Sequence, residues 1–167
     1  MKRGLLIVAG LVVTVGVMGL VAYTRSNNQP IPHRVLNQAA FGVWYPAANP
    51  LGFKVDRGTV KYSVNGQDKL VTFVAHSPTN NLSFTEQSVP DSFNDIPQLY
   101  DKIIEKLRAY STFDSVNGTV SLTRPEELKG GQTAVMKAKG TMVFIRPDKD
   151  LSADDWRRLV NDLNFAH

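Results

Sequence analysis

The sequence predicts an α+β domain with a mostly antiparallel sheet, set behind an N-terminal transmembrane helix. Three observations carry that prediction. Short apolar–polar alternations, separated by Asn-Gly and Gly turns, recur along the chain; two segments switch to a helical period; and an uncharged, mostly apolar run fills residues 4–24. Alternation suits strands with one buried face, whereas spacings of three and four suit a helix with one apolar stripe. The order reads β-β-β-α-β-β-β-α, and two helices with single stripes need a sheet face to bury them.

The apolar run sets the expected location. A helix of this length covers roughly 30 Å, the thickness of a bilayer's hydrocarbon core. Lys2 and Arg3 precede it and Arg25 follows. Cytoplasmic flanks carry the excess of Lys and Arg, so the N-terminus is expected inside and the remainder outside. A cleaved signal peptide is the rival reading. The run exceeds a usual signal core, and Leu20-Val21-Ala22 is a poor small–x–small exit. The expected organisation is a cytoplasmic stub at 1–3, a signal-anchor helix at 4–24, a stalk at 25–35 and an extracytoplasmic domain at 36–167.

The elements follow in order. Ser26 to Pro32 is polar and proline-bearing, as a stalk should be. Arg34 to Ala40 suits a helical turn, and Phe41 to Tyr45 is aromatic and β-prone before Pro46. Val60, Tyr62 and Val64 alternate with polar residues, Asn65-Gly66 supplies a hairpin turn, and Lys69 to His76 returns. Leu82 and Phe84 alternate in a third strand. Leu99, Tyr100, Ile103, Ile104, Leu107 and Tyr110 then share one face of a predicted helix, with Pro97 near its start. Strands are expected at Thr119 to Arg124, Gln132 to Lys139 and Thr141 to Arg146. Ser152 to Leu163 reads as a second helix with Ser152 as N-cap, Asp154 and Asp155 in its first turn, and Trp156, Leu159, Val160 and Leu163 on its stripe.

Charge narrows the partners. Setting Lys2, Arg3 and Arg25 aside leaves 16 basic against 15 acidic residues, a net of +1. With no basic run, nucleic acid is not expected as a partner. The chain has no cysteine, so an exported domain must be held by its core alone. His33, His76 and His167 lack ligand spacing, and no metal or other cofactor is expected.

Three stretches resemble a bacterial exported domain family of unknown function: Phe41-Gly-Val-Trp-Tyr-Pro46 with Leu51-Gly-Phe53, Phe84-Thr-Glu-Gln87, and Gly140 to Phe144 leading into the acidic-capped helix. Members lie C-terminal to membrane segments in anti-sigma-factor-like and sporulation-related proteins. The resemblance implies an extracytoplasmic domain and brings no catalytic residues. Here Asn49-Pro50-Leu51-Gly52 replaces the family's direct Pro-Gly, and with only residues 1–3 expected on the inner side a sigma-binding region is not expected.

His76 with Asp68 or Asp91 has no nucleophile elbow to serve. Glu86, Asp91 and Asp95 read as loop acids, the residues a hydrolase would have to use. Phe41, Trp44, Tyr45 and Phe53 form the leading candidate for a ligand or partner groove, with sheet-end packing as the competing use of the same rings. The expected function is a membrane-anchored, non-enzymatic outer domain binding an envelope component, peptide or partner protein. The alternatives are an exported hydrolase, and a structural membrane protein assembling through its helix.

Overall fold

The computed structural model describes residues 29–167 except 48, 67, 97, 127, 128 and 130, and Ile31–His167 forms one compact unit. Its strands make a seven-stranded, wholly antiparallel sheet in the order β2-β3-β4-β8-β7-β6-β5, with a separate two-stranded ribbon of β1 and β9. The strands are β1 (Val43–Pro46), β2 (Lys54–Asn65), β3 (Asp68–His76), β4 (Asn81–Ser88), β5 (Ala109–Ser115), β6 (Gly118–Thr123), β7 (Thr133–Ala138), β8 (Thr141–Pro147) and β9 (Leu163–Ala166). The helices are α1 (His33–Ala39), the single turn α2 (Ser92–Asp95), α3 (Gln98–Lys106) and α4 (Ala153–Asn161). The α+β class with an antiparallel sheet is thus as expected. Among these residues no helix is long and apolar enough to cross a membrane. The expected membrane helix at 4–24 and Pro97 lie outside the described residues.

Register explains the two faces of the sheet. Tyr62, Val71, Glu86, Val143, Met136, Val120 and Phe113 stand opposite one another across seven strands. The next row runs through Phe73, Phe84, Ile145, Ala134 and Leu122. Because side chains alternate, both rows point to one face, the inner one. The β1–β9 ribbon, α1 and α4 cover that face with Trp44, Val35, Leu36, Trp156, Leu159 and Val160 in a single core. Phe73 and Phe84 stack with ring centroids 4.5 Å apart. The outer face is different: Val135 and Met142 are buried there, near α2 and α3, but much of the rest is polar.

Several boundaries differ from the sequence reading. Ile31 and Val35 are core residues, so folded structure begins inside the expected stalk. The third helix stops at Lys106 rather than Tyr110. Arg108 takes a left-handed conformation, φ 59°, and the chain turns straight into β5. Tyr110 fits the helical spacing but lies on that strand. Leu163 likewise leaves the helix stripe and begins β9. The Asn65-Gly66 hairpin forms as expected, with Gly66 at φ 64°, a conformation that suits residues without a Cβ. Ser152 caps α4 by accepting the Asp155 N–H at 3.1 Å. At Gly42 the Phe165 ring occupies the place of a side chain: a Cβ there would stand 2.0 Å from it.

Candidate functional site

Over the outer face of the sheet lies a groove of about 810 Å³. Its floor is Ser83 and Thr85 of β4, Phe144 and Arg146 of β8, and Thr133 of β7. Leu107, just past α3, and Pro125 and Gly131 of the β6–β7 loop form walls, while Pro147, Asp148 and Asp150 close one end. The groove exists because α3 covers the face incompletely. Leu99, Tyr100, Ile103, Ile104 and Leu107 form the expected apolar stripe, yet every one stays half-exposed and none is buried. A helix that seals a face buries its stripe, as α4 does with Trp156, Leu159 and Val160.

The electrostatics of the groove are uneven. Asp148 accepts from Asn81 Nδ2 at 2.7 Å, and Asp150 pairs with Arg124. Arg146 forms no ion pair among the described residues. Thr133 is 3% exposed, and its Oγ1 is buried with no hydrogen-bond partner there. The groove's residues come from strands and loops spread between positions 83 and 150, so no local motif announced them.

The expected aromatic groove is placed elsewhere. Trp44 and Phe53 are 1% and 2% exposed, Phe41 is buried beside them, and Tyr45 is half-buried against the same core. They pack on the inner face, not under α3, because β1 lies across that face and pairs with β9. Trp44 and Phe165 meet with centroids 4.9 Å apart, and Lys139 Nζ sits 5.2 Å from the Trp44 ring. These rings offer a ligand almost no surface.

Glu86 is the largest departure from expectation. It is no loop acid: it is 0% exposed and stands in the inner row between Val71 and Val143. The Trp44 backbone N–H donates to its Oε2 at 2.9 Å, and Oε1 has no partner among the described residues. Burial pushes its carboxyl well above the ordinary carboxylate range, and the one Trp44 bond opposes this only in part. Alternation from Leu82 and Phe84 already placed position 86 inward. Asp91 and Asp95 are exposed, beside and within α2, so the three acids do not share an environment.

His76 pairs with neither Asp68 nor Asp91. Its Nε2 is 3.4 Å from Asp56 Oδ2 and its Nδ1 is 2.7 Å from Asn81 Oδ1. Those contacts, led by the Asn81 bond, raise its pKa, and among the described residues the ring nitrogens meet an amide and a carboxylate, not a hydroxyl. No group of three or more His, Asp or Glu among the described residues is placed to hold a metal ion. The chain matches no family model, no curated protein and no solved structure.

Proposed function

We propose that this is a non-enzymatic binding domain, held at the outer face of a membrane by the helix at 4–24, whose groove over the sheet's outer face takes an envelope component. The groove carries the reading. Ligand sites are concave, a few hundred to a thousand Å³, mostly apolar, with a few convergent polar groups. A volume of about 810 Å³ lined by Leu107, Phe144 and two prolines, with Arg146, two engaged acids and a Thr133 hydroxyl that has no hydrogen-bond partner among the described residues, fits that description. The apolar run behind Lys2 and Arg3 supports the location, as does the resemblance to exported domains behind membrane segments. A binding role is favoured over hydrolysis because Glu86 is sealed in the core and the His76 pair faces no nucleophile.

The chain's lack of cysteine makes the test clean. Thr85→Cys in the full-length chain puts a single thiol in the groove, and Val116→Cys puts one on an exposed turn. A membrane-impermeant maleimide should label both on intact cells. Native envelope should slow the Thr85→Cys reaction relative to stripped membranes and leave Val116→Cys unchanged. Labelling that needs lysis would overturn the location, and equal protection of both sites would overturn the groove.

A further inference from the structure

We infer that the groove binds a small amphipathic carboxylate, its charge held by Arg146 and its apolar body lying against Phe144, Leu107 and the prolines at 125 and 147. The inference rests on the reading of the groove as a binding site and adds the class of ligand.

Charge balance comes first. Of the groove's three charged side chains, both acids are engaged, Asp148 by Asn81 and Asp150 by Arg124. Arg146 is exposed and has no ion-pair partner among the described residues. A guanidinium presents a planar fork that matches a carboxylate with two parallel hydrogen bonds. Register then supplies neighbours. Ser83 stands directly opposite Arg146 on β4. The Ala134–Ile145 pair places Thr133 beside Arg146 on β7. Two hydroxyls therefore flank the cation, that of the exposed Ser83 and that of Thr133, which is buried with no hydrogen-bond partner among the described residues. A carboxylate has lone pairs enough to accept from the fork and a flanking hydroxyl together.

The floor also argues against an extended peptide. Peptides bind sheets by adding to an edge, where backbone groups are free. The floor strands β4, β8 and β7 are interior, each laddered on both sides. A peptide lying there would leave its own amides without backbone partners. A ligand with all its polarity at one end avoids that penalty, and the half-exposed Phe144 ring and Leu107 suit the other end.

The probe is 4-phenylbutyrate, with 4-phenylbutan-1-ol as its uncharged counterpart. The full chain is placed in lipid nanodiscs with an environment-sensitive dye on Thr85→Cys. The carboxylate should shift the emission saturably and bind at least about tenfold tighter than the alcohol. Arg146→Gln should erase that preference while alcohol binding and the thermal melt stay unchanged, and Arg146→Lys should fall between. Equal binding of acid and alcohol, or carboxylate binding unaffected by Arg146→Gln, would overturn the inference. Failure of both probes to saturate would overturn it too. In each of these cases the membrane protection of Thr85→Cys still decides separately whether the groove is a site at all.

Discussion

The two faces of the seven-stranded sheet are made from the same strands and meet opposite fates. The inner face is closed by α1, α4 and the β1–β9 ribbon, and its row from Tyr62 to Phe113 is interrupted by a charged side chain only at Glu86. The outer face is met by α3, whose Tyr100 ring lies under Lys137 of β7, but the apolar stripe of that helix stays half-exposed, and the open half of the face carries Ser83, Thr85, Phe144 and Arg146. One face is therefore where stability resides and the other is where a ligand has room. The difference comes from how deeply the covering helix sinks: Trp156 of α4 is fully enclosed, while no residue of α3 is.

The comparison can be broken with a pair of matched ring deletions. Phe84→Ala on the inner face should lower unfolding stability by about 3–5 kcal/mol, the usual loss for a buried phenylalanine that also leaves a cavity. Phe144→Ala on the outer face should lose about 1 kcal/mol, because a half-exposed ring forgoes only part of its transfer energy. Chemical denaturation of the full chain in detergent reads both. Equal losses would mean that the two faces are packed alike.

Glu86 sharpens the comparison through pH. Burial raises its folded pKa well above the ordinary value of 4.5. Between 4.5 and the raised folded value, folding takes up a proton, so stability falls as pH rises through that window. Glu86→Gln keeps an acceptor for the Trp44 N–H and removes the proton uptake. The variant should be more stable than the parent at pH 7, with a flatter stability profile above pH 4.5. A parent profile already flat there would mean that water reaches the inner face.

The smallest effect belongs to His76 at the sheet margin. Its pKa is raised by the Asn81 and Asp56 contacts, so the charged ring stabilises the fold. That contribution is complete below the ordinary value of 6.5 and is lost as pH rises through the raised folded value. Both partners are about half exposed, so solvent screens the pair to about 0.3 kcal/mol or less. His76→Gln should remove a shallow stability step above pH 6.5 and change nothing else.

Much of the inner face was legible in the sequence because it is written locally. Asn65-Gly66 between alternating runs gives the β2–β3 hairpin, and Ser152 followed by two acids starts α4. The strand β5 was hidden because Leu107 to Tyr110 continues a helical spacing, and a single left-handed residue, Arg108, decides otherwise. Position 86 was readable from alternation, but the residue type argued for the surface and prevailed. The aromatic cluster at 41–53 was visible as a group, while its side of the sheet depended on β1 finding β9 some 120 residues away. The groove was least legible of all. It is assembled from β4, β7, β8 and three connecting segments, and nothing about Ser83 or Arg146 alone marks them as neighbours.

The β1–β9 ribbon has a mechanical consequence. Val43, where the chain enters β1, lies opposite Ala166, near the end of β9, and Pro46 lies opposite Leu163. Tension applied between the segment before Val43 and the segment after Ala166 thus loads the antiparallel pair from one end. Its rungs break singly, as a zip opens, and never together in shear. Once the load has passed α1, such a pull strips Trp44 and Phe165 from the inner face before straining any rung of the large sheet.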